Sequence, residues 1–243
     1  MQQLGQTRSV HRHDHLLHTP DTFVRAPLPG MRNATAIIHA GPARGAGFTQ
    51  YTAEFAAGGA LGPAVGQRFI YVLEGELEAN GRALAAGDYA YIQAGLPTGV
   101  TSRGTARAAV IEKIYQPLAG EPAPVFFTGR ESQVEAKPFL GDEALVVRTL
   151  LPDAPAFDCA VNTMMFQPGA ALPMVEIHVM EHGLLMLQGG GIYRLGDSWY
   201  PVNAGDFIWM APYCPQWFGA LGKTPAKYLI YKDWNRHPLS EAR

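Results

Sequence analysis

Apolar and polar positions along this chain fall into short bursts. RFIYVLEG, YAYIQAG, AAVIEKIY, ALVVRTLL, GLLMLQG, DFIWMAP and KYLIYKD hold β-branched and aromatic residues, with glycines, prolines and polar turns between them. Runs of this kind between turn signals are strands, and their spacing predicts an all-β sandwich or barrel. No long amphipathic helix is evident. A short one is expected within RESQVEAKPFLGD, residues 130–142.

The pattern repeats. FIYVLEGELEANGRALAAGDYAYIQAG, residues 69–95, and GLLMLQGGGIYRLGDSWYPVNAGDFIWMAP, residues 183–212, follow the same plan. An apolar strand ends in Gly75 or Gly189, then come a second strand, a turn, a third strand leading to AGD, and a fourth, aromatic strand. Two β-barrel modules are therefore expected, one over residues 1–120 and one over 121–243. The Pro-, Gly- and charge-rich stretch 116–138 connects them.

VEIHVMEHGLLMLQGGG, residues 175–191, carries the candidate chemistry, and the repeat supplies its control. Counted back from the strand-ending glycines, His182 matches Arg68, His178 matches Ala64 and Glu176 matches Gly62. Residues 50–115 contain no histidine. A barrel of this plan folds without these three side chains, which favours function over core packing. Alternation puts Glu176 and His178 on one face. His182 opens the next strand and can point back, so all three converge in a barrel mouth, where small barrels bind one small ligand. A metal ion would make the burial of a carboxylate there tolerable.

Charge and cysteine content narrow the classes. With 19 basic and 21 acidic residues the net charge is −2 and no basic face appears, so neither nucleic acid nor an anionic membrane is an expected partner. No apolar segment approaches the roughly 20 residues of a bilayer span. The opening MQQLGQTRSVHRHDHLLH lacks the apolar core of a secretion signal. Cys159 and Cys214 are the only cysteines, expected as buried, inert thiols in a reducing cytoplasm. His11, His13, His15 and His18 look like a metal motif but precede the first barrel strand in a segment with no apolar pattern to hold it. They are read as a decoy, dispensable for the site.

The double module, with Gly169 to His182 reading GxxxxxxExHxxxH, then six residues and Gly189, resembles the cupin superfamily as a bicupin. The second cupin motif usually ends in a histidine, and GDFIWMAPYCPQWFG has Gln216 there. The Glu-His-His-Gln set, the TPD of residues 19–21, the ligand-free first module and YLIYKDWNR, residues 228–236, resemble the (S)-ureidoglycine aminohydrolases, manganese-dependent bicupins of allantoin degradation. That resemblance implies two tandem cupin barrels and a Mn²⁺ ion held by Glu176, His178, His182 and Gln216. Tyr193 and Lys232 would contact the substrate, with Glu176 beside them at the reacting centre. Hydrolytic release of ammonia from a small-molecule substrate by a cytoplasmic homo-oligomer is the implied activity. The donor set agrees, because two imidazoles with carboxylate and amide oxygens suit Mn²⁺ or Fe²⁺. Lys232 would face the substrate carboxylate or donate a proton to departing ammonia. Tyr228 is expected to pack. A cupin dioxygenase or isomerase, or a non-catalytic ligand-binding bicupin, are the alternatives.

Overall fold

Each of the seven apolar runs forms a strand: Gln67–Glu74, Asp88–Ile92, Ala106–Lys113, Asp142–Thr149, His182–Gln188, Phe207–Met210 and Ala226–Asp233. The computed structural model describes residues 7–236. Within them the helical content is three 3-10 turns, and no helix is long and apolar enough to cross a membrane. The short helix expected in 130–142 is one such turn, Glu131–Gln133, followed by the strand Lys137–Phe139.

Two compact all-β units form. The first comprises residues 24–134 and 150–158, and the second comprises the described residues up to Phe23 with 135–149 and 159–236. This differs from a simple division between residues 120 and 121, because the described residues up to Phe23 join the second unit, and residues 121–134 and 150–158 join the first. In the first unit a ten-stranded sheet closes around Tyr51, Phe55, Ile70, Val72, Ile92 and Val110. In the second, an eight-stranded and a three-stranded sheet enclose Leu17, Phe166, Leu184, Met186, Ile208 and Tyr228. In both, even-numbered residues of the strand after the motif face inward, as period-two alternation requires.

The N-terminal segment departs from expectation. His15–His18 is a strand paired with Phe207–Met210, with Leu17 opposite Ile208. Leu17 is fully buried in the second unit's core, and His15 and His18 are buried too. The four histidines do not converge, since His11 and His13 are exposed and His18 lies edge-on to Phe23 at 4.6 Å. The reason lies in the repeat. In the first unit, Phe127–Arg130 covers the edge of Asp88–Ile92. The matching edge of the second unit, Phe207–Met210, takes its partner from the front of the chain. An uncovered edge would leave a row of backbone N–H and C=O groups unpaired.

The AGD aspartates show the same exchange. Asp88 accepts the Ala85 N–H at 2.9 Å and a two-pronged bond from Arg130 at 2.7 and 3.1 Å. Asp206 accepts the Asn203 N–H at 2.8 Å and a two-pronged bond from Arg8 at 2.6 and 2.9 Å. Each carboxylate caps its own turn; Asp88 anchors the arginine that ends its barrel's covering strand, and Asp206 anchors Arg8, ahead of the strands Val10–His11 and His15–His18.

Residues 7–18 thus belong to the second unit, with Leu17 in its core. Leu17→Ala is expected to lower stability by about 2–5 kcal/mol, the cost of a leucine-sized core cavity. Removing residues 1–18 should cost more and lose metal retention with it. Urea unfolding followed by tryptophan fluorescence checks both, and an unchanged midpoint would return the segment to the status of a dispensable tail.

Candidate metal centre

Gly169 begins the site. Its φ of +85° is a left-handed conformation that glycine adopts without strain. The turn it makes lays residues 170–176 antiparallel beside the strand Gln216–Ala220, with Leu172 N–H on Phe218 O and the Trp217 indole on Leu172 O. The pairing ends at Glu176 and Gln216, which exchange both backbone bonds at 2.8 and 2.9 Å. Directly opposed residues in such a pair project from the same side. A carboxylate and a carboxamide far apart in sequence thereby become neighbours.

His178 follows two residues on. Its Nε2 lies 3.2 Å from Glu176 Oε2, and its carbonyl accepts the Tyr213 N–H. Tyr213 is itself left-handed, at φ +65°, with its ring exposed at the rim. The His178 and His182 rings stand 5.3 Å apart, inclined at 65°. His182 is 3% exposed, and its Nδ1 has no hydrogen-bond partner. Burial first, then the neighbouring His178 and the Lys232 ammonium, push its pKa down to about 3, so the imidazole is neutral at ordinary pH.

Gln216 is buried, and its Oε1 accepts the Tyr193 hydroxyl at 3.3 Å. That bond leaves the amide oxygen a second lone pair. Tyr193 is buried against Phe218, and burial followed by the Glu176 charge raises its pKa, so it stays a neutral donor. Lys232 is the cross-strand partner of His182 and faces the same interior, with its Nζ 4.3 Å over the Trp234 ring. Tyr228 packs against Phe166 and Phe218 and bonds Met164 Sδ, the packing role expected of it.

The first barrel shows what fills this place without a ligand. Arg68 is opposite Glu112 on the matching strands, as His182 is opposite Lys232. Arg68 bonds Glu112 at 2.7 Å, reaches back to the Gly62 carbonyl at 2.8 Å, and Tyr51 adds its hydroxyl to Glu112 at 2.8 Å. Gly62 is the match of Glu176, so one arginine spans the space that the second barrel leaves to Glu176 and the two imidazoles. The second barrel's set fits a divalent cation: a carboxylate, two imidazoles and an amide oxygen, with a buried ring nitrogen left unbonded. The glycine run has a structural role. Gly189 has a φ of +64°, and a Cβ there would lie 2.5 Å from Pro225 O.

A second cluster was not foreseen. Among the described residues, Asp14, His15 and Cys214 bring their ligand atoms within 4.8 Å of one another. Both nitrogens of His15 are engaged, Nδ1 with Asp14 at 2.8 Å and Nε2 with the Tyr200 hydroxyl at 2.9 Å. Burial, then Asp14, push the Cys214 thiol up to about 11, so it is inert, as expected. The cluster is a clasp between the N-terminal strand and the loop ahead of Gln216. Local sequence held no signal for it, because Cys214 lies far along the chain from its partners.

A family model for the cupin domain matches residues 162–231. A rice protein named as a probable (S)-ureidoglycine aminohydrolase is 42% identical over 97% of this chain and 78% of its own length. The (S)-ureidoglycine aminohydrolase of Escherichia coli is 32% identical over 94% of this chain and 92% of its own. The chain belongs to the (S)-ureidoglycine aminohydrolase family. A crystal structure of a putative glyoxylate-induced protein from Pseudomonas aeruginosa superposes with a TM-score of 0.87 at 31% identity, covering 96% of this chain and 93% of that one. Membership of the family agrees with the all-β fold of two barrel units. It also makes the chain a hydrolase acting on C–N bonds.

The neutral state of His182 has a measurable consequence in the metal-free protein. Its folded pKa is depressed below the unfolded value, so its contribution is complete above about pH 6.5 and is lost as pH falls towards 3. The slope from this one group is at most about 1.4 kcal/mol per pH unit. His182→Leu should flatten that part of the stability curve. Urea midpoints at pH 7 and pH 5, with chelator present, test this, and equal slopes in both proteins would contradict it.

Proposed function

We propose that the second barrel hydrolyses (S)-ureidoglycine to (S)-ureidoglycolate and ammonia, using Mn²⁺ held by Glu176, His178, His182 and Gln216, in allantoin degradation. The observation that carries the reading is the contrast between matching rows. The first barrel neutralises its row internally with Arg68 and Glu112, whereas the second sets the cation Lys232 beside the neutral His182. That pairing puts a cation and a neutral imidazole on the same face as the ligand-type side chains.

The bound ion would act as a Lewis acid and as a template for the substrate's carboxylate and α-nitrogen. The chain's own residues do the rest. Glu176 balances charge beside His178. Tyr193 holds the Gln216 amide with its oxygen engaged on one side only. Lys232 offers an ammonium to the substrate carboxylate, or a proton to departing ammonia. Water adds at the α-carbon as the C–N bond breaks, so one water is consumed for each ammonia released. Buried free cysteines support a reducing cytoplasm as the site of action. Exposed Met174, Ile177 and Tyr213 at the rim support assembly into a homo-oligomer.

The test is ammonia release from freshly generated substrate, with metal content measured on the same sample. One manganese per chain is expected. Lys232→Met should keep fold and metal and lower kcat/KM by about ten- to a hundred-fold, the worth of a charge-assisted hydrogen bond sheltered from water. A proton-transfer role would add on the order of 10²–10⁴-fold. A ratio within two-fold of wild type removes Lys232 from the site. Oxygen consumption without ammonia would mark a dioxygenase instead.

A further inference from the structure

The two ladders can be matched one row below the Arg68 and His182 rows. In the first barrel Tyr51 pairs with Val110, and Val110 with Ile70. In the second, Asn162 pairs with Ile230, and Ile230 with Leu184. Asn162 therefore stands where Tyr51 stands. It faces the interior with Met164 and Phe166, which alternate with it along the same strand into the core.

The two residues are used differently. The Tyr51 hydroxyl donates to Glu112, so the first barrel consumes its polar group internally. Asn162 is 8% exposed, and its Oδ1 has no hydrogen-bond partner. Its row is otherwise apolar, and Ala160, the residue opposite Lys232, offers only a methyl group between it and the mouth. A buried amide acceptor with no partner is costly, and a polar group kept in such a place needs an occupant to satisfy it.

We propose that Asn162 is a substrate-binding residue whose Oδ1 accepts a hydrogen bond from the terminal N–H₂ of a ureido group. This rests on the reading of the site given above and names what recognises the end of the substrate remote from the reaction. An amide oxygen is a poor neighbour for a carboxylate and a good one for an uncharged N–H donor. The carboxylate has Lys232, a diagonal cross-strand neighbour of Asn162. Such neighbours stand about 7–8 Å apart, a span that a small ureido acid bridges.

The test compares N-carbamoylglycine, which is the substrate without its α-amino group, with N-acetylglycine, in which a methyl replaces the terminal N–H₂. Calorimetric titration of the manganese-loaded wild type should show roughly ten-fold or greater preference for N-carbamoylglycine. Asn162→Leu, close in volume but without the acceptor, should bring that ratio near one and leave N-acetylglycine binding and metal content unchanged. The ligand-free variant should melt no lower than wild type, because an unpaired buried acceptor has been removed. An amide satisfied by a structural water predicts the reverse: a lower melting temperature and an unchanged ratio. Asn162→Ala, titrated in the same way, serves if the leucine variant does not fold. A wild type without the preference, or a variant that keeps it, overturns the proposal. A wild type that releases ammonia but ignores the terminal N–H₂ does so while leaving the aminohydrolase reading intact, whereas absence of ammonia release strikes that reading instead.

Discussion

The register between His182–Gln188 and Ala226–Asp233 is the constraint on which the rest of the second barrel depends. It sets Lys232 opposite His182 with both side chains inward. In the first barrel the same register sets Arg68 opposite Glu112, and opposite charges satisfy each other at 2.7 Å. In the second barrel the same register pairs an ammonium with an imidazole instead. Burial first, then His178 and that ammonium, keep the imidazole neutral. One scaffold thus gives an inert barrel or a receptive one, according to which pair the ladder brings together.

Strands, repeat and most of the candidate site were legible because their signals are local. Alternation and glycine-ended runs need only a few consecutive residues, and Glu-x-His-x-x-x-His lies within one turn and one strand start. Gln216 came from family resemblance, and the backbone pair with Glu176 gives its position a physical basis. What escaped depended on distant partners. HLLH is four residues long, and only its pairing with Phe207–Met210 makes a strand of it. Asp14 and His15 gain meaning from Cys214, two hundred residues on. Asn162 lies in the strand CAVNTMMF, outside the apolar runs singled out in the sequence, and its equivalence to Tyr51 is a property of the ladders, invisible to a count back from the glycines.

The N-terminal segment connects these observations. Arg8 grips Asp206, Leu17 fills the core, and the Asp14–His15 pair reaches the loop that ends at Gln216. A stretch rich in histidine, readily taken for an ion-binding tail, instead braces the wall that carries the candidate ligand. Its two buried histidines, His15 and His18, act as hydrogen-bonding and packing groups, which is the commoner use of that side chain in an interior.

The exchanged strand also orders events during synthesis. The first unit has all its described pieces once residue 158 has emerged, and its covering strand follows directly behind its core. The second unit's covering strand, His15–His18, is made long before the edge it covers, Phe207–Met210. Until then Leu16 and Leu17 have no sheet to join. Closing so long a span is slow, as for any contact of high sequence separation. The second barrel is therefore the later-folding of the two units, and its candidate metal ligands are assembled only after Phe207–Met210 has been made.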